Sequence, residues 1–315
     1  MGPYLFKRLS TAVIVVLGIM LVTFVMLHVL APSPAKVVLG QRATPQAIAD
    51  FNKANGYDDP LIVQYIHYVE KTFHGNLGYS YKENQSVNAL FRENAARSAY
   101  LSGISLVLAV VIAIPLGIWQ GLKRNSIGDY IATGASFTFY SMPLFFLSLL
   151  LIAIFSFHLD WFPSEASQAN TLAGVLADPR SMVLPIASLV IVSVASFSRY
   201  MRSSTLDNLA QDYIKVARAK GLSERSILTG HLLRNCVLPL ITLIGLSIPD
   251  LLAGNLITEQ VFNYHGLGLL FYNSLSTEDY PVLLGYVLVG GVLVVIGNLI
   301  ADVSLSVADP RIRLT

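Results

Sequence analysis

The chain has 315 residues, of which 54% are hydrophobic and only 13% charged. An ordinary soluble domain carries about 25% charged residues, so this composition, with a mean hydropathy of +0.60, excludes a soluble protein and implies an integral membrane protein. The net charge of +2 gives no nucleic-acid footprint, and the single cysteine, Cys236, excludes an internal disulfide and a cysteine-based zinc or iron–sulfur site.

A membrane helix needs about 20 mostly apolar residues. Stretches without Asp, Glu, Lys or Arg run over 9–35, 98–122, 130–159, 181–198 and 280–301, and 235–258 holds one charge, Asp250. They predict an all-α integral membrane fold with six spans, at 9–31, 99–121, 130–157, 181–201, 237–260 and 282–306. The first span follows Lys7 and Arg8 as a signal peptide would. Its apolar run to Ala31 is longer than the roughly 7–15 residues of an h-region, and no small-x-small site closes it convincingly, so it is read as a retained helix.

Six spans put the N-terminus, 1–8, and the tail, 307–315, on one side. Placing both in the cytoplasm collects 13 of the 21 basic residues inside, counting the loops 122–129 and 202–236. Seven of the other eight lie in the long outer segment 32–98, and the outer loops 158–180 and 261–281 hold only Arg180. Long segments cross largely regardless of charge, so the positive-inside rule gives an N-in, C-in topology.

In the outer segment, Thr44-Pro45 is a helix start with Thr as N-cap and Pro at the first helical position. Asn55-Gly56 ends that helix. Ile62, Tyr65, Ile66, Val69 and Phe73 then share one face of a second helix, which His74-Gly75-Asn76 closes as a turn. The segment is expected to fold as a small helical cap, either packing on the outer mouth or offering a docking surface to an outer partner. The inner segment 202–236 has six basic and three acidic residues. Ile214, Ala217, Gly221 and Leu222 share a face, as do Ile227, Leu228, His231 and Leu232, which predicts two short amphipathic helices broken near Gly221. Pro115, Pro143, Pro185 and Pro249 fall inside spans, where each removes a backbone donor and favours a kink.

Local chemistry is sparse. There is no nucleotide loop of the Gly-x-x-x-x-Gly-Lys-Ser/Thr kind, no His-Glu-x-x-His, no Cys-x-x-Cys and no Gly-x-Ser-x-Gly. His28, His67, His74, His158, His231 and His265 form no local ligand cluster. Neither an enzyme nor a metal site is expected, and Asp250 is the one firm ionisable group inside a span.

The most specific signal is the inner loop, Asp212-Tyr213-Ile214-Lys215-Val216-Ala217-Arg218-Ala219-Lys220-Gly221-Leu222-Ser223-Glu224-Arg225, then His231-Leu232-Leu233-Arg234-Asn235 and Leu238-Pro239. It resembles the cytoplasmic coupling loop, the "EAA" loop, of ABC-importer permeases, and within them the dipeptide, oligopeptide and nickel branch, in the type of its first permease subunit. The Glu of the general motif falls at Lys215. Gly221 and Pro239 match the motif's Gly and Pro. The likeness runs along the chain: Tyr4 to Leu9 with His28-Val29-Leu30, Asp59 to Tyr65, Gly75 to Ser80, Ile114-Pro115-Leu116-Gly117, Glu259-Gln260-Val261-Phe262 with Gly266-Leu267-Gly268, Asp279-Tyr280-Pro281, and Asp309 to Arg313. Pro249-Asp250, where the family often has small residues, and His265, where it more commonly has proline, depart from the pattern.

The resemblance implies a type I ABC-importer permease fold in the bacterial cytoplasmic (inner) membrane. It implies a homologous second permease subunit, two ABC ATPase subunits that bind ATP and Mg, and an extracytoplasmic solute-binding protein. A peptide solute crosses the bilayer between the two permeases, and this chain holds no cofactor. The ATPase-coupling residues would be Lys215, Ala217, Arg218, Ala219, Lys220, Gly221, Leu222, Ser223, Glu224 and Arg225. The small residues keep one face thin, and the charges select the ATPase. Pro249 and Asp250 are the pathway candidates, with Asp250 placed to meet a peptide ammonium group or to bond within the bundle. Within the family the alternatives are nickel, glutathione or an oligosaccharide; from another class, an ion-coupled secondary transporter, which would need neither ATPases nor ATP.

Overall fold

The computed structural model describes residues 2–30, 34–39, 43–80, 82–247 and 254–308. The chain begins with α1 (Gly2–Leu30), followed by α2 (Pro34–Leu39), α3 (Pro45–Asn55) and α4 (Leu61–Phe73). A short antiparallel hairpin, β1 (Tyr79–Ser80) and β2 (Gln85–Ser86), leads into α5 (Val87–Leu122). Next come α6 (Ile127–Ser141), α7 (Leu144–Leu151) with a π-helical continuation over Ile152–His158, α8 (Leu172–Ala177) and α9 (Pro179–Leu209). The 202–236 loop contains α10 (Asp212–Ala219), α11 (Glu224–Ser226), a π-helical stretch Ile227–Leu232 and α12 (Leu233–Cys236). The chain closes with α13 (Leu238–Leu246), α14 (Leu256–Val261), α15 (Leu267–Thr277) and α16 (Tyr280–Ala308).

Among the described residues, three helices are long and apolar enough to cross a bilayer unbroken: α5, α9 and the Tyr280–Ile300 part of α16. Two bent pairs of helices would raise that number to five. The first apolar stretch lies on α1, whose Ser10–Met26 part is an apolar helix of shorter length.

The helices depart from the sequence expectations at three places. First, α5 starts at Val87, not at 99, because Ser86 caps it by accepting the Ala89 N–H at 3.2 Å. Arg92, Glu93 and Arg97, which read as loop charges, ride on a helical extension. Second, the stretch 130–157 is not one straight span but is broken by a 107° bend between Ser141 and Leu144, at the proline where a kink is expected. Pro143 forces Met142 out of the helical region, to ψ 129. Pro115 and Pro185 lie inside continuous helices. Third, 237–260 is not one continuous helix: among the described residues α13 ends at Leu246 and a new helix starts at Leu256. Gly254 has φ +84 and Asn255 is non-helical, so α14 is a separate short helix. The residues 248–253, with Pro249 and Asp250, lie outside the described residues.

Helix α5 is the scaffold. It packs on α9 with the backbones close: a Cβ on Gly117 would come within 2.7 Å of the Ser198 carbonyl oxygen. One buried cluster joins Leu101, Leu147, Met182, Phe262 and Tyr264 near the hairpin end. A second joins Ala113, Phe197, Met201, Ile214, Ile227 and Leu232 at the 202–236 loop. A third fixes the start of α5 to α15 and α16 through Val87, Phe91, Leu267 and Val282.

Candidate functional site at the 202–236 loop

Helix α10 is short but well specified. Asp212 opens its first turn, where the helix dipole favours a negative charge. Lys215 Nζ reaches Asp212 Oδ1 at 2.8 Å. Ile214 and Ala217, three residues apart, turn into the second core cluster, at 0% and 5% exposure. The helix ends in a Schellman turn: Gly221 N–H donates to Arg218 O at 2.9 Å and Leu222 N–H to Ala217 O at 3.3 Å. Gly221 sits at φ +76, in the left-handed region. Ser223 then caps α11 through the Ser226 N–H at 3.3 Å. Across the turn Arg218 grips Glu224 with two hydrogen bonds, 2.8 and 3.2 Å. That guanidinium holds the Glu224 carboxyl below its ordinary value.

The result is a rigid helix–turn–helix. Of the ten coupling residues expected from the sequence, all are exposed except Ala217. Ala217 lends the core its small side chain rather than lending a thin face to the surface. Two exposed apolar side chains stand among the charges, Leu222 and Val216, and Val216 was not singled out from the sequence. Ala217→Glu is therefore expected to break the loop from inside, because it forces a carboxylate into a packed apolar cluster. Limited proteolysis checks this: the variant loop should be cut much faster than wild type, and unchanged protection would show that Ala217 is free to face outward.

Asp129 and Arg202 brace the helix that leads into the loop. Asp129 is 1% exposed on its side chain and accepts from Arg202 Nε at 2.7 Å and Nη2 at 2.8 Å. The Asn125 N–H also donates to Asp129, at 3.0 Å. This two-point contact ties the start of α6 to the last turns of α9. Arg202→Lys keeps the charge but loses the planar fork. It is expected to cost about 1 kcal/mol, the worth of one hydrogen bond, read as a small drop in the thermal midpoint of the purified protein. A drop as large as that of Arg202→Ala would contradict a geometry-based role.

At the opposite end of the bundle lies a second polar centre, around Glu259. Its side chain is fully buried. Oε1 accepts from Ser98 Oγ at 2.7 Å and from the Asn255 N–H at 3.1 Å. Oε2 accepts from the N–H groups of Gly268 at 2.7 Å and Leu269 at 3.0 Å, in the first turn of α15. Ser98 Oγ also accepts the Leu267 N–H at 2.8 Å, and Asn255 Nδ2 donates to Ser102 Oγ at 2.7 Å. Gly268 is needed for this approach, since a Cβ there would lie 2.7 Å from the Leu256 backbone. The Tyr264 hydroxyl donates to Arg97 O at 2.9 Å. One carboxylate thus pins α14, α15 and α5 together.

Residues 113–314 match the family described as the inner membrane component of binding-protein-dependent transport systems, and residues 1–98 match that family's N-terminal membrane component. The chain belongs to this family. It is 35% identical, over 99% of its length and 100% of the relative's, to the oligopeptide transport system permease protein AppB of Bacillus subtilis. It is 33% identical, over 99% of both chains, to the dipeptide transport system permease protein DppB of Escherichia coli K12. A putative peptide permease protein of Brucella ovis is 36% identical, over 99% of both. Among solved structures, the inward-facing MetNI methionine ABC transporter aligns with a TM-score of 0.53 at 18% identity, covering 70% of this chain and 96% of that one. That likeness shows the fold.

In this permease the residues expected from the sequence to couple lie together on one loop, all exposed except Ala217. Pro249 and Asp250 lie outside the described residues, between α13 and the Glu259 centre. His265 borders that centre in the 261–281 loop; burial first, and then Arg97, lower its imidazole from the ordinary value. The sequence offered the Glu259-Gln260-Val261-Phe262 and Gly266-Leu267-Gly268 pieces only as points of resemblance. Their signal as a site was the pairing of an acidic residue at a span end with glycines that let backbone donors approach it.

Proposed function

We propose that this permease is the first-type transmembrane subunit of an ATP-driven importer of di- or oligopeptides in the bacterial cytoplasmic (inner) membrane. Six spans with both termini inside, and a helical cap formed by the outer segment up to Ser86, make up its half of the pathway. A homologous second permease makes the other half. Two ABC ATPases dock beneath the two permeases, and this chain meets its ATPase with the loop bearing Lys215, Arg218, Ala219, Lys220, Gly221, Leu222, Ser223, Glu224 and Arg225, with Val216 and Leu222 as apolar anchors. ATP and Mg belong to those ATPases, and this chain carries no cofactor of its own. A solute-binding protein delivers the peptide to the outer mouth. The observation that carries the reading is the end-to-end similarity to permeases named for oligopeptide and dipeptide transport.

The physics of the loop supports coupling. A helix–turn–helix cross-braced by Arg218 and Glu224 and bedded on Ile214 and Ala217 moves as one piece. Motion of an ATPase under it passes to α9 through the rigid backbone, and to α6 through Arg202 and Asp129. Reconstitution in vesicles tests the function. Labelled dipeptide should accumulate only with ATP, the binding protein and co-purified ATPases present. Uptake driven by an ion gradient without ATP would overturn it. Pro249 and Asp250 are assigned to the pathway, and Asp250→Asn should leave assembly and ATP hydrolysis intact while lowering transport of free-amine peptides; wild-type transport would remove it from recognition.

A further inference from the structure

A cavity of about 520 Å³ opens between α1, α4, the hairpin and the first turns of α16. On one side α4 leans on α1. Tyr68 Oη meets Thr23 Oγ1 at 3.1 Å, and Tyr65 Oη donates to Leu17 O at 3.3 Å. Phe24, Leu284 and Leu288 form an apolar floor, and each is less than a tenth exposed. Lys71, His67 and His28 are exposed residues of the lining, which contains no Asp or Glu. Among the described residues, the Lys71 ammonium meets no carboxylate within ion-pair distance.

His28 is fixed in the lining by two contacts. The Gln64 amide nitrogen donates to Tyr57 O at 3.0 Å and to Asp59 O at 2.7 Å, which turns its Oε1 toward His28 Nε2, at 3.0 Å. The other ring nitrogen, Nδ1, faces Phe24 O at 2.9 Å.

The polarity of the cavity runs along the spans. At 1.5 Å per residue, Phe24 lies about 9 Å below the end of α1, and Leu288 about 12 Å below the start of α16. On α1, His28 stands one turn nearer the helix end than Phe24, so the lining passes from imidazole to hydrocarbon along the span, as a bilayer leaflet does at its headgroup boundary. The volume is that of an ordinary small-molecule site, about 300–1,000 Å³.

We propose that this cavity binds an anionic phospholipid of the outer leaflet, its phosphate among Lys71, His67 and His28 and one acyl chain along Phe24, Leu284 and Leu288. The leaflet rests on the proposed N-in orientation; the lipid chemistry does not. The same cations would suit a free carboxylate, such as a peptide C-terminus, and the test separates the two sources. The assembled transporter is reconstituted with phosphatidylglycerol or phosphatidylcholine, and retained lipid is counted by native mass spectrometry. Phosphatidylglycerol should be retained selectively. The exposed-residue variant Lys71→Gln/His67→Gln should lower retention about tenfold, at roughly a factor of five for a full cation and less for a histidine. Phosphatidylglycerol carrying a diazirine on its chain should cross-link to the peptides containing Phe24 and Leu284. Equal retention in wild type and variant, cross-links elsewhere, or displacement of the lipid by millimolar dipeptide would each overturn the proposal. Leaflet is read separately, by an impermeant thiol reagent on Leu61→Cys. Labelling from the cytoplasmic side would reject the orientation while leaving the lipid result standing.

Discussion

Glu259→Ala is expected to prevent the permease from accumulating as a folded protein. The substitution removes the acceptor of four hydrogen bonds, from Ser98 Oγ and from the N–H groups of Asn255, Gly268 and Leu269. Glu259 is fully buried, so water does not replace it without opening the structure. Each orphaned buried donor costs about 1–3 kcal/mol. Even with incomplete additivity, a loss of about 4 kcal/mol or more is a large share of the roughly 5–15 kcal/mol that holds a typical domain folded. Glu259→Gln keeps the shape and should be milder. Its oxygen can still accept from Gly268 and Leu269, but its amide nitrogen then faces the Asn255 N–H, and Ser98 loses its acceptor. About 1–3 kcal/mol is expected, in line with one or two lost bonds. Detergent-extracted yield and thermal unfolding check the order wild type, Gln, Ala. An alanine variant that unfolds within a few degrees of wild type would mean that the four bonds do not act as a clamp.

How much of this was legible beforehand depended on whether a feature is local. Thr44-Pro45 and Gly56 bound α3 as the sequence implied, because a cap and a left-handed glycine act within one turn: Thr44 accepts the Ala47 N–H and Gly56 has φ 72. The Gly221 break between α10 and α11 was legible for the same reason. The start of α5 was not, because Arg92, Glu93 and Arg97 look like loop charges until their surroundings are known. Arg97 is buried and donates to Ala169 O and Asn94 Oδ1, one of which comes from a distant loop. Nor does a proline announce whether it breaks a helix. Pro143 does, while Pro115 and Pro185 sit inside continuous helices. Ala217 was ambiguous on principle, since a small side chain serves a thin docking face and a tight core equally well. Glu259 was hidden because its four donors come from residues 98, 255, 268 and 269, and only the fold assembles them.

Substitutions at Gly221 should separate shape from size in the loop proposed to couple to the ATPase. No atom lies within 4 Å of a Cβ built on Gly221, so the pocketless surface around it tolerates a side chain. Its backbone does not, because φ is +76 and a residue with a Cβ pays about 1–2 kcal/mol to stay there. Asparagine visits this region more readily than other residues. If backbone conformation is what matters, ATPase co-purification and peptide transport should fall in the order Gly, Asn, Ala, Leu, with the leucine variant inactive. Strain in Gly221→Leu is relieved by opening the Schellman turn. That releases the Gly221 and Leu222 N–H groups from Arg218 O and Ala217 O and pulls Glu224 away from Arg218. A surface presenting Val216, Leu222 and the flanking charges at fixed spacing is lost, although the span helices stay folded. If instead the loop only has to be thin where it meets an ATPase, the order should follow volume: Gly, Ala, Asn, Leu. The discriminating pair is Ala against Asn. A transport rate for Gly221→Ala above that for Gly221→Asn, with equal protein yields, would show that size and not the left-handed turn governs coupling at this position.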